Sequence, residues 1–468
     1  MARPENTETF VHSDTRMNVE QFIDSQPLSA FQKRVLVLCF LIVAVDGFDT
    51  SGIGFLGPAI RAEWQVAASA LAPLFGAGLL GLTAGALLFG PLADRYGRKR
   101  ILIVSIFLFG IASLATAASP GLTALVIARF FTGVGLGGAM PNAVTLAREY
   151  SPGSRASSLV TLMFCGFTIG GAFGGLASAQ FVGMIGWRGV LAIGGIAPLL
   201  LVPVLAAMLP ESLGFLLLRG TPKDRLVATS IADRIRIHDA GQVSLYANAK
   251  PLDRTSSVRE LFAPGTAPVT LLLWTTFFML LLIVYLLTSW LPVLLAAAGV
   301  SLRQASLMTM MYQVGATIGG IWLGRRMDRS DPQRVLALAF LVATALILIC
   351  AWSEGSKLII VGTVLGIGFC IGGGTIGGYV LSGSYYPTSS RATGVAWANA
   401  AGRVGAVLGS MAGGALIGFG VNFETFLLLL AVPGVIATLA MFGLERLRRD
   451  GRRRITSMRA PPKPSEPA

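Results

Sequence analysis

Charge is what this 468-residue chain has least of. Asp, Glu, Lys and Arg make up 13% of it, about half the share of an ordinary soluble protein. Histidine is nearly absent: the two copies, His12 and His238, lie in polar segments, which removes most zinc and histidine-base chemistry from consideration. The four cysteines, Cys39, Cys165, Cys350 and Cys370, each sit in an apolar stretch with neither paired nor metal-ligand spacing. Core packing is their expected role, with no disulfide. The N-terminus, MARPENTETF, is polar and is no cleaved leader. No metal or cofactor is expected, and no nucleophile–base cluster marks an enzyme.

What fills the chain instead is apolar side chain, 54% of residues. So much cannot hide inside a water-soluble globule, whose surface would lack polar groups to cover it. A soluble enzyme, a disordered chain and a nucleic-acid binder are excluded, and lipid is the solvent for most of the sequence. The net charge of +14 fits this reading, because the basic residues fall between the apolar runs.

A spanning helix needs ~20 predominantly apolar residues. Six such runs appear at 35–60, 70–93, 101–119, 122–147, 156–182 and 187–209. A polar stretch follows, and six more runs lie at 267–297, 304–324, 335–352, 357–385, 392–420 and 423–443. The expected fold is therefore an all-α membrane protein of twelve spans. Its divisions are a leading segment 1–34, a half 35–209, a linker 210–266, a half 267–443 and a basic tail 444–468. An even count puts both ends on one side, and 31 of the 37 Lys and Arg residues fall in the segments of that side. Short cytoplasmic loops carry such an excess, so both termini are expected inside, in the inner membrane of a bacterium. Trp64, Trp187, Trp290 and Trp352 fall near the outer helix ends, where an interfacial belt is expected.

The two halves echo one another. GPLADRYGRKR at 90–100 and GRRMDR at 324–329 share a Gly-x-x-x-Asp-Arg frame after the second span of each half. YSPGSRA at 150–156 and YPTSSRA at 386–392 repeat at nearly the same offset. Two echoes half a chain apart argue for duplication, the usual architecture of secondary transporters.

Here the chain resembles the major facilitator superfamily. The resemblance rests on Gly90, Asp94, Arg95, Gly97, Arg98 and Lys99 in the loop after span 2, on Arg129, Gly133, Gly135 and Gly137 in span 4, and on Pro210-Glu211-Ser212 after span 6. The loop glycines permit a tight reversal, and Asp94 can sit at a neighbouring helix N-terminus. Asp328 and Arg329 are the matching pair of the second half.

Asp46-Gly47-Phe48-Asp49 puts two carboxylates on one face of span 1, at a depth where ionisable groups are costly and usually functional. This signature resembles that of the aromatic acid:proton symporters. So do Pro141-Asn142, Glu149-Tyr150, Pro152, Arg391 and Arg403. The resemblance implies import of a benzoate-like or hydroxybenzoate-like anion, or a related ring-cleavage acid, together with a proton, by a monomer in the bilayer. A benzoate-type substrate needs a cation for its carboxylate, and arginine provides a fork that stays charged at depth. Arg403 is the expected carboxylate ligand, with Asp46 and Asp49 coupling the proton. Asn142, Asn399 and Trp397 are further substrate candidates, and Phe48, Phe55, Phe167, Tyr379 and Trp397 are candidate ring contacts. Arg129 either governs the span 1 carboxylates or bonds backbone carbonyls beside its glycines. Glu149, near Arg148 and Arg155, reads as a salt-bridge cluster or a gate, and Arg391 as gate or topology. An exporter or antiporter, or a porter of sugars or other organic anions, is the alternative with the same fold. The efflux signature in span 5 would have proline where Gly171 stands. Which acid is carried stays open.

Overall fold

The computed structural model describes residues 15–236, 243–246, 258–263, 266–353, 356–383, 385–386 and 390–459, with the backbone alone at 15, 16, 157, 243, 244, 380, 391, 392 and 450–459. Among them, ten helices are long and apolar enough to cross a membrane. One of the ten, Gly153–Met208, is two arms joined at Gly186, whose φ of +69° breaks the helical backbone. The long helical arms are α1 (Ala30–Trp64), α2 (Ala72–Tyr96), α3 (Arg98–Ala117), α4 (Leu122–Glu149), α5 (153–185) and α6 (187–208). After the linker come α7 (Ala267–Ala297), α8 (Leu302–Arg329), α9 (Pro332–Ala351), α10, α11 (Arg391–Gly418) and α12 (Phe423–Arg459). In α10, Lys357–Ile367 runs through a π-helical turn, Gly368–Gly372, into Gly373–Ser382.

The arm that falls short of the apolarity of a span is α8. Its Gln304, Gln313, Thr309, Tyr312 and Thr317 lower its hydropathy. A membrane helix this polar must turn its polar groups towards other protein, and α8 packs on α5, α7 and α10.

Arms α1–α6 pack mainly among themselves, as do α7–α12. Association in lipid depends on close packing rather than on the hydrophobic effect, and glycine provides it here. Where α1 packs on α5, Gly170 comes so close to α1 that a Cβ would overlap the Ala44 carbonyl oxygen. The two bundles meet chiefly at the end away from the linker. There Gly54 of α1 abuts the Thr288 backbone of α7, and Gly76 and Ala72 of α2 meet Met411 and Gly414 of α11. At mid-depth Thr168 of α5 and Thr317 of α8 share a hydrogen bond of 2.6 Å.

Two of the tryptophans expected in an interfacial belt are core residues. Trp290 is 0% exposed and donates from Nε1 to the Ser410 carbonyl at 2.7 Å. Trp187, 2% exposed, stands edge-on to Trp64 and donates to Glu63 at 2.6 Å. Helix-end position does not say which way an indole points; only Trp352, 63% exposed, fits the belt outright. All four cysteines are buried and free.

At the linker end, Thr15–Asn18 pairs in parallel with Val243–Tyr246, tying the leading segment to the linker. Asp24 accepts the Gly153 backbone N–H at 2.5 Å, at the start of α5. Linker helix Pro222–Ile235 begins at Thr221, whose hydroxyl accepts the Asp224 N–H. Arg219 clamps Asp224 with two bonds of 2.5 and 2.7 Å.

Candidate functional site

A cavity of about 170 Å³ lies at mid-depth between the two bundles, space for roughly ten waters or one small ring. Its walls are mostly apolar, and the two opposite charges on them are Asp46 of α1 and Arg403 of α11. These two lie within electrostatic reach of each other and of Tyr285 on α7. Asp46 is 1% exposed. One carboxylate oxygen accepts the Thr50 hydroxyl at 3.0 Å, and the other has no partner among the described residues. Arg403 donates from Nη1 to the Leu82 carbonyl of α2 at 3.3 Å, which fixes one arm of the guanidinium and joins the bundles. Phe164 of α5 and Tyr379 of α10 stack at 5.9 Å on the cavity's wall.

Asp49 does not share this cavity. Three residues of helix turn a side chain by about 60° from register, and that carries Asp49 off to α4. There it accepts Arg129 at 2.7 Å and the Ser113 hydroxyl at 3.2 Å, in a pair whose side chains are 1% and 4% exposed. Of the two roles open to Arg129, pairing with the span 1 carboxylates is the one observed, and with Asp49 alone. Arg129 lines a second, smaller cavity that shares Thr50, Leu82 and Tyr285 with the first.

Among the substrate candidates, Arg403 lines the cavity, and so do the ring candidates Phe167 and Tyr379. The others stand elsewhere. Asn142 turns back on its own helix, donating to the Gly138 carbonyl at 2.7 Å. Asn399 does likewise to Val395 at 3.0 Å. In a helix with no water at hand, a short amide satisfies itself on the preceding turn. Trp397 stacks on Trp274 at 5.7 Å and is half exposed on the outside of the bundle. Phe48 packs against Gly194 of α6, and Phe55 against Gly175 of α5. The sequence reading missed Tyr285, Tyr312, Gln313 and Phe164. The signal for Tyr312 and Gln313 was the polarity of α8 itself.

The loop after α2 is organised by a residue outside it. Gly97, at φ +100°, reverses the chain between α2 and α3. Glu211 packs over it and accepts the Lys99 N–H at 3.0 Å, so Glu211 holds the α3 N-terminus. Asp94, the expected helix-end anion, is 77% exposed and lies 3.9 Å from Arg98. Gly90 is interior to α2 with open space about it, not part of the reversal. Arg95 lies over the Tyr96 ring. Arg98 instead pairs with Glu149, while Tyr150 donates its hydroxyl to the Glu211 carbonyl at 2.6 Å. In the second half Asp328 and Arg329 are exposed and unpaired among the described residues. The neighbouring Asp331, with Gln333, receives Arg448 of α12. The side chain of Arg391 lies outside the described residues.

Two helix bundles around a buried, mixed-charge cavity are the arrangement of a multi-pass membrane transporter, and the family and relatives that the chain matches are transporters and not enzymes. The chain belongs to the Major Facilitator Superfamily, whose family model matches residues 39–301 and 273–467. It is 44% identical over 433 residues to the 4-hydroxybenzoate transporter PcaK of Pseudomonas aeruginosa, covering 91% of this chain and 95% of that one. A gallate transporter of Pseudomonas putida is 39% identical over 438 residues, 93% of this chain and 97% of the relative. The fold matches the xylose transporter XylE from E. coli at a TM-score of 0.67 and 18% identity, over 88% of this chain and 98% of that structure.

Proposed function

We propose that this chain is a proton-coupled symporter that carries an aromatic carboxylate into a bacterial cell across the inner membrane. The observation that carries the reading is the presence of Arg403 and a half-satisfied Asp46 in one cavity walled by aromatic and aliphatic side chains. The similarity to transporters named for 4-hydroxybenzoate and gallate supports the substrate class. Twelve helices cross the bilayer in two halves, 35–209 and 267–443, and the basic excess puts the linker and both termini in the cytoplasm.

Arg403 receives the substrate carboxylate on the guanidinium edge not held by Leu82, and the ring lies against Phe167, Tyr379 and Leu281. Asp46 takes up the proton on its unpartnered oxygen. An empty cavity with Asp46 ionised and Arg403 charged is neutral. Adding the anion alone leaves an uncompensated charge in a medium where that is costly; adding the anion and the proton together does not. The bundles rock around the neutral, loaded site, and the two fluxes are coupled without a covalent step. One chain contains the whole site, so a monomer suffices.

Uptake of labelled 4-hydroxybenzoate into proteoliposomes under an outside-acid pH gradient tests this. Accumulation abolished by a protonophore is the expected result. Folded protein that takes up no aromatic acid would leave an exporter or a porter of sugars or other organic anions as the reading.

A further inference from the structure

Tyr312 of α8 is a buried hydroxyl with nothing to bond. The residue is 2% exposed, and its oxygen has no hydrogen-bond partner among the described residues. An unmet buried polar group is uncommon enough to require a reason. Its neighbour Gln313, which also lines the cavity, is occupied, donating to the Ser51 hydroxyl of α1 at 2.8 Å. Tyr312 has no such bond.

The surroundings of that hydroxyl belong to the cavity. Tyr312, Ala316 and Gly372 all line it, and a Cβ added to Gly372 would stand 3.3 Å from the Tyr312 oxygen. Gly372 closes the π-helical turn of α10. Such turns interrupt an α-helix by one residue and recur at functional sites. Here the turn brings α10 against the backbone of Tyr312, where a Cβ on Gly368 would overlap the Tyr312 carbonyl oxygen. A side chain at 372 would also run into the Ala316 Cβ, so glycine there keeps α10 packed on α8 beside the unbonded hydroxyl. Arg403 stands on α11, held to α2, while Tyr312 and Gly372 stand on α8 and α10. The cation and this unmet hydroxyl therefore come to the cavity from different helices.

We propose that Tyr312 is a specificity residue that bonds a ring hydroxyl of the substrate whose carboxylate Arg403 holds. This rests on the reading of the cavity as an aromatic-carboxylate site and extends it to ring-hydroxylated acids. A phenolic hydroxyl both donates and accepts, as does Tyr312, so one ligand group satisfies the buried oxygen. A ring without the hydroxyl leaves it as it stands in the empty site. A neutral hydrogen bond made where no water competes is worth about a tenfold preference.

The test is uptake by reconstituted full-length protein of labelled 4-hydroxybenzoate and labelled benzoate, comparing kcat/KM for the two. The parent protein is expected to prefer 4-hydroxybenzoate by about tenfold or more, and Tyr312→Phe, which keeps the ring and its packing, to erase most of that preference. An unchanged ratio in the variant, including equal losses on both acids, overturns the role of Tyr312. Should Tyr312→Phe not reconstitute, competition in the parent protein decides: 4-hydroxybenzoate must displace label better than 4-fluorobenzoate and benzoate. Equal potency of the three overturns the proposal. A parent protein that carries neither acid fails at the earlier step, the reading of the cavity.

Discussion

Asp49 and Arg129 neutralise each other where neither has water, at 2.7 Å with side chains all but fully enclosed. Removing one partner of such a pair strands the other, at a cost of about 3–5 kcal/mol. Asp49→Asn should therefore lower the melting temperature in detergent markedly, and adding Arg129→Gln should recover part of the loss. A single variant as stable as the parent would contradict the pairing. Arg403 differs, because one edge of its guanidinium is held by Leu82 and, in the proposed function, the other receives the substrate carboxylate. Arg403→Lys keeps the charge and loses the fork, so KM for the aromatic acid should rise by about tenfold; an unchanged KM would mean the carboxylate binds elsewhere. At this scale the sequence was legible where depth and charge coincide. Asp46, Asp49, Arg129 and Arg403 stand out as ionisable groups in apolar runs, and all four prove buried or cavity-facing. It was not legible for Phe48, Asn142, Trp397 and Asn399, because which way an uncharged side chain turns depends on neighbours far away in the chain.

Among the elements, the helix pairs are set by glycine. Gly170 lies against Ala44, and Gly47 lies as closely against the Phe167 backbone, so α1 and α5 touch along their length. Gly170→Val should force them apart and reduce the yield of folded protein and its transport together. A fully active Gly170→Val would show that the contact is dispensable. The Gly166, Gly170 and Gly171 spacing permits such a close approach without saying which helix makes it. The capping of α3 by Glu211 was not announced, since Glu211 lies more than a hundred residues from Gly97. In the linker, Arg219 and the Thr221 hydroxyl hold Asp224 down at about 2, below its ordinary 3.8. A carboxyl so depressed stabilises its helix above pH 3.8, and the contribution is lost as pH falls through about 2. Amide exchange in Pro222–Ile235 should speed up across that window, and Asp224→Asn should exchange faster at neutral pH with no step there. A step of the same size in the variant would assign it to another group.

For the whole molecule, the two bundles are closed against each other away from the linker, and the cavity lies inward of that closure. Thr168 and Thr317 touch across the seam. A double cysteine variant at these positions should lose transport on oxidation and regain it on reduction, the four native cysteines being buried; unimpaired transport when crosslinked would mean the seam does not open. The two sets of long helical arms were readable from the apolar runs on either side of the polar linker. The seam was not, because it joins residues half a chain apart through contacts no local pattern encodes. In the proposed function Asp46 carries the coupled proton while Arg403 holds the anion. Asp46→Asn in proteoliposomes tests it most directly, with accumulation of 4-hydroxybenzoate under an outside-acid gradient measured beside exchange with no gradient. Exchange is expected to survive and accumulation to be lost. Accumulation at the parent's level in Asp46→Asn would contradict it.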